Sequence, residues 1–169
     1  MEAGYHTIKI KYYMMKTVKH FILLIILSLI SLNIYAQKEN PTYDSVLAKS
    51  MGADEYGMKS YVFVMLKSGS ATIENKQVRD SLFSRHLRNI QRLEDEGYLL
   101  VAGPLGNNDK SYRGIFIFDV ASPEEAEALL KTDPAIKSKI FDTDLYEWYG
   151  SAALGEYLKV HKKIVKELF

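Results

Sequence analysis

Tyr61-Val62-Phe63-Val64-Met65-Leu66, closed by Lys67-Ser68-Gly69-Ser70 and followed by the segment Gln77 to Glu96, decides the fold of this chain. Six consecutive apolar residues rich in valine and aromatics read as a strand covered on both faces, and the polar, glycine-containing closure ends it. In the segment Gln77 to Glu96, the residues Val78, Leu82, Phe83, Leu87, Ile90 and Leu93 fill one half of a helical wheel at about 100° per residue. His86 falls near the middle of that arc. An imidazole aimed at a core needs a hydrogen-bond partner there.

Downstream, Tyr98 to Ala102 and Gly114 to Val120 read as two more strands, and Gly103-Pro104-Leu105-Gly106-Asn107-Asn108-Asp109 supplies the turn of an antiparallel hairpin. Ser122-Pro123-Glu124-Glu125 opens a second helix with a capping serine, a proline at the first helical position and a capping-box glutamate. Ala126, Leu129 and Leu130 are its apolar side, and Thr132-Asp133-Pro134 stops it, because proline pushes its predecessor out of helical dihedrals. Leu145 to Gly150 reads as a fourth strand. The order βαββαβ with right-handed crossovers gives an α+β, ferredoxin-like sandwich. Its helix-free face must also be covered, and a second copy packed there predicts a homodimer, a dimeric α/β barrel.

The ends carry separate signals. Lys16, Lys19 and His20 precede the apolar run Phe21 to Ile30, and Ala36 precedes polar Gln37, so residues 1–36 read as a secretory signal peptide cleaved after Ala36. Met14 or Met15 is the more usual start for such a signal, and we read Met1 to Tyr13 as a misannotated extension. An uncleaved anchor is the alternative; after cleavage the product is secreted or periplasmic, with no stable membrane insertion. Residues 37–59 form a leader strap with a short helix at Asp44 to Met51, stopped by Gly52. Residues 60–153 are the ferredoxin-like domain. Residues 154–169 are a C-terminal helix whose stripe includes Leu154, Leu158, His161 and Leu168, while Lys159, Lys162, Lys163 and Lys166 face outward. We read His161 as packing against the same domain or its twin, a membrane-surface helix being the minor alternative.

The succession of the first strand, His86-Leu87, the run Gly97 to Pro104, Ser122-Pro123-Glu124-Glu125-Ala126 and Asp133-Pro134 resembles the YCII-related (YciI-like) family over Lys59 to Ser151. The resemblance implies the dimeric ferredoxin-like fold and a histidine and an aspartate forming an acid–base pair in a pocket between helix and sheet. Carried over, these are His86 and Asp133. It also implies kinship with small dimeric barrels that isomerise or dehydrohalogenate ring compounds. The chain departs from the family after Pro134, where Ala135 stands in place of a common aromatic, and in its two terminal additions.

A carboxylate bonded to one nitrogen of His86 fixes the ring's tautomer and leaves the other nitrogen to take a proton from carbon or hydroxyl. The plainer reading of His86 is a buried neutral ring bonded to a backbone carbonyl. Asp133 is equally suited to cap a short turn through Lys137, and the two roles are compatible. Arg79 can meet an anionic substrate or snorkel from the first turn. Gly103 and Pro104 bring backbone toward a ligand or simply end a strand. Tyr61 and Trp148 are pocket walls or core aromatics.

The chain points away from several other classes. Basic and acidic residues number 22 and 21 in the full chain, and the mature part is slightly acidic, so no phosphate-tracking surface and no nucleic-acid partner is expected. No cysteine is present, and past Ala36 only His86 and His161 remain as histidines, so neither a disulfide nor a metal site is expected. The sequence thus points to a cofactor-free lyase or isomerase acting on a small cyclic or carbonyl compound. The alternatives are a noncatalytic small-molecule-binding dimer and a partner-binding dimer working through its C-terminal helix.

Overall fold

Four strands in the order β2-β3-β1-β4, all neighbours antiparallel, form the sheet: β1 is Met58–Ser68, β2 Leu99–Pro104, β3 Tyr112–Phe118 and β4 Phe141–Ser151. This computed structural model describes residues 11, 14–23 and 40–166. The chain divides into two units, Met1–Tyr43 and Asp44–Phe169. In the first, residues 14–23 are helical, and the expected cleavage site at Ala36 lies outside the described residues. No helix among the described residues is long and apolar enough to cross a membrane.

The second unit begins with α1, Ser45–Ser50, whose N-terminus is capped by Asp44 Oδ1 accepting from the amides of Val46 and Leu47. Between β1 and β2 runs α2, Lys76–Asp95, capped by Asn75. Gly97, at φ +82°, ends it: its amide bonds the Glu94 carbonyl and the Tyr98 amide bonds the Leu93 carbonyl. That left-handed turn, cheap only for a residue without Cβ, sends the chain straight into β2. Between β3 and β4 lie α3, Pro123–Leu130, and the one-turn α4, Pro134–Lys137. Ser122 caps α3, and Glu125 reaches back to the amide of Ala121. A 3-10 turn, Ala152–Glu156, leads from β4 into α5, Tyr157–Ile164.

The alternation along β1 sorts the sheet into two faces. Val62, Val64 and Leu66 join Phe116, Phe118 and Leu99 on the inner face, where Leu93, Ala126 and Leu130 of the helices cover them. Each large side chain buried there contributes about 1.5–3 kcal/mol. Tyr61, Phe63, Leu100 and Ile117 point the other way, and Leu154 and Leu158 cover part of that outer face. The crossovers are those of the ferredoxin-like order.

Two strands are longer than their apolar runs suggest. β1 begins at Met58 and continues to Ser68; β4 begins at Phe141, four residues before Leu145. The reason is pairing: β4 is in register with β1 from Met58↔Ser151 to Ser68↔Phe141. Asp142 and Asp144 lie in a strand because Lys67 Nζ bonds Asp144 Oδ1 at 2.6 Å across it.

Candidate functional site

His86 is fixed by where α2 meets the chain after α3. Its Nδ1 lies 2.6 Å from Asp133 Oδ2, and the two residues retain 7% and 1% of their accessible surface. Asp133 caps α4 with its other oxygen, which accepts from the amides of Ala135 at 2.8 Å and Ile136 at 3.4 Å. The capping role and the histidine partnership therefore coexist, one per carboxylate oxygen. Three bonds to a carboxylate compensate its loss of water.

A second set of contacts holds the two helices in that alignment. Arg92 on α2 donates to Asn89 Oδ1 at 2.9 Å and to the Thr132 hydroxyl at 3.0 Å. The Thr132 hydroxyl also lies 2.6 Å from the Leu129 carbonyl. Thr132 sits one residue before Asp133, and Asn89 and Arg92 lie three and six residues after His86, so these bonds tie α2 to the chain that leads into Asp133.

With the carboxylate accepting from Nδ1–H, the neutral ring carries its lone pair on Nε2. Phe141 and Phe116 flank the imidazole, with ring centroids 5.3 Å and 6.1 Å away. His86 borders a cavity of about 450 Å³ between α2 and the inner sheet face. Leu66, Gly114 and Phe116 form its floor, and Gly103 and Pro104 its edge. A Cβ on Gly114 would come within 2.7 Å of the Gly103 carbonyl oxygen, so glycine lets β2 and β3 close up under the cavity.

The structure thus brings His86, Asp133, Gly103 and Pro104 to one place. It sends three other candidates elsewhere. Arg79 does not border the cavity; its guanidinium turns back to the Ile73 carbonyl at 3.0 Å and completes the entry to α2. Tyr61 and Trp148 stand on the outer face, packed against each other with ring centroids 5.5 Å apart, and the Tyr61 hydroxyl donates to the Ser151 carbonyl. Strand alternation puts odd-numbered residues of β1 opposite the cavity, which excludes Tyr61 as a wall.

One cavity residue was assigned to packing from the sequence. His161 on α5 lines the same cavity as His86, together with Tyr157 and Lys162 of its own helix. Its amphipathic stripe was legible, but nothing in a stripe says which surface it meets. Among the described residues no group of three or more His, Asp or Glu side chains is arranged to hold a metal ion.

A profile of the YCII-related domain matches residues 60–149. The chain belongs to the YCII-related family. Among solved structures, this YCII-related protein is similar to 5-chloro-2-hydroxyhydroquinone dehydrochlorinase from Burkholderia phenoliruptrix AC1100, solved in complex with 2,5-dihydroxybenzoquinone. That match has 24% identity and a TM-score of 0.38, and covers 52% of this chain and 92% of the other. A search of curated proteins gives no match.

Proposed function

We propose that this YCII-related protein is a cofactor-free proton-transfer enzyme of the lyase or isomerase type, acting on a small cyclic or carbonyl compound. The observation that carries the reading is the buried 2.6 Å contact between His86 and Asp133 at the wall of a largely apolar cavity. His86 Nε2 takes a proton from a substrate carbon or hydroxyl. Asp133 keeps the ring in the required tautomer and stabilises the imidazolium formed. The imidazolium then returns that proton, to another substrate atom in an isomerisation or to the departing group in an elimination.

The protein is proposed to act as a homodimer through the outer sheet face, where Tyr146 and Trp148 remain exposed. Export with cleavage after Ala36 completes the proposal; the mature N-terminus would then be Gln37.

The test is turnover of a library of cyclic and carbonyl compounds. His86→Ala is expected to lower turnover by about 10²–10⁴-fold. Binding of compounds without turnover in the wild type would assign the site to a noncatalytic binding module instead. Independently of any ligand, NMR titration of His86 should change in Asp133→Asn; an unchanged titration would sink the dyad.

A further inference from the structure

The cavity is much longer than one reactive centre requires. Phe83, His86, Leu87, Ile90, Gln91 and Glu94 all border it, a sequence of i, i+3, i+4, i+7, i+8, i+11 positions along one stripe of α2. At about 1.5 Å rise per residue, Glu94 lies about 12 Å along the helix axis from His86. Between them the helix presents Leu87 and Ile90 with Gln91, so the middle is largely apolar and His86 and Glu94 mark two titratable groups set apart along it.

The far end is built by a segment outside the matched domain. Residues 60–149 stop before α5, yet α5 contributes Tyr157, His161 and Lys162 to the cavity. The helix is anchored by Leu158, which packs with Tyr61, Leu100 and Ile117 on the outer face, so α5 follows the β2 edge and puts its next turn at the cavity. The His161 ring stacks on Tyr157 at 5.6 Å with 13° between planes, which holds its plane. Lys162 Nζ lies 3.1 Å from Asp95 at the end of α2, tying the two helices together. Glu94 faces this end. Burial raises its carboxyl above the usual value, an effect partly offset by His161 and Lys162.

We propose that α5 is the far wall of the binding site and that His161 is a specificity-determining contact. The ligand is then an elongated, apolar-centred molecule with a hydrogen-bonding group at each end, one meeting His86 and the other His161. This rests on the reading of His86 as the reactive end. It extends that reading from the nature of the reaction to the shape of the substrate, and assigns the C-terminal addition a role in choosing it.

The probes are 4-hydroxybiphenyl and 4,4′-dihydroxybiphenyl, which share one phenol and an apolar body and differ by a hydroxyl at the far end. Calorimetric titration of the full chain is expected to show the two-ended compound binding about tenfold tighter, the worth of one added hydrogen bond. His161→Ala should erase that preference, so that the two probes bind with equal affinity. His161→Gln, which still offers hydrogen bonds, should restore part of it. Equal affinities in the wild type, no binding of either probe, or a preference that survives in His161→Ala would each overturn the proposal. If His161→Ala loses both probes, His161→Gln decides: recovered preference supports the contact, and loss of both probes there assigns His161 to structure and overturns it. The His86 titration is read without ligand, so failure of the dyad and failure of the two-ended ligand register separately.

Discussion

Two helices each present a histidine to the same cavity, and the difference between them shows what position on an apolar stripe does and does not determine. α2 has 20 residues, lies across the sheet and buries Leu82, His86 and Leu93. α5 has eight, buries Leu158 alone among its residues and leaves His161 half-buried beside an exposed Tyr157. His86 has a buried carboxylate on Nδ1, whereas His161 has a ring stacked on it and a carboxylate in its neighbourhood. A buried hydrogen bond to a charged group fixes a tautomer; stacking fixes only a plane. The same residue type at the same kind of position is therefore equipped for proton transfer in one helix and for contact in the other.

The largest effect expected on this contrast comes from Asp133. Asp133→Ala removes the cap of α4 and leaves His86 Nδ1 without its partner in a buried site, which should cost about 3 kcal/mol in urea unfolding. Asp133→Asn retains a capping oxygen and can still bond the ring, at the price of reversing its tautomer. It should cost about 1 kcal/mol or less while lowering turnover as severely as loss of the histidine. Equal destabilisation by the two variants would show that the charge of Asp133, rather than its hydrogen bonds, holds the site.

Leu158→Ala attacks the other helix. A buried leucine truncated to alanine typically costs about 2–5 kcal/mol, and a short terminal helix with one anchor should fall at the low end. Hydrogen exchange should rise across residues 157–164 while α2 amides keep their protection. Loss of protection in both would mean that the two walls unfold as one unit.

Glu94 supplies a smaller, pH-dependent effect. Burial is the chief reason its folded value lies above the unfolded one, so between those two values the folded state binds more proton than the unfolded state. The associated stability is fully present below the unfolded value and is lost as pH rises through the folded one. Glu94→Gln should therefore unfold at higher urea than the wild type near neutral pH, with the gap closing toward pH 4. An unchanged gap across that range would place Glu94 in water.

The smallest effect lies away from both walls. The Tyr149 hydroxyl donates to Asp54, which pushes the phenol up to about 12 and holds the Asp54 carboxyl below its ordinary value. The phenol's contribution is present below pH 10 and disappears as pH rises toward 12. Ultraviolet titration of the phenolate in the wild type and Tyr149→Phe checks this, and biphenyl binding at neutral pH should be the same in both.

Much of the fold was legible because it is written in local chemistry. The continuous apolar run Tyr61 to Leu66, the Ser122-Pro123 opening and Pro134 after Asp133 each act through dihedrals, amides or side chains within a few residues. The start of β4 was not legible, since Asp142, Thr143 and Asp144 look like loop until Lys67 on the neighbouring strand answers them. Whether Tyr61 and Trp148 were pocket walls or core aromatics was left open for the same reason: an aromatic strand residue announces burial but not the side of the sheet that holds the cavity.

By itself, the sequence determined the order of elements, the ends of α2 and α3 and the presence of a histidine on an apolar arc, all set by interactions within about a turn or a strand's pleat, whereas the C-terminal helix expected over residues 154–169 is helical only at Tyr157–Ile164 after a 3-10 turn. The family resemblance paired Asp133 with His86, 47 residues away; the tertiary structure supplied the 2.6 Å contact between them, and it alone decided that His161 from the C-terminal helix faces the same cavity. Those pairings depend on how α2, α4 and α5 pack on one sheet. Packing is a property of surfaces brought together across the chain, and the spacing of residues along it does not record which surfaces will meet.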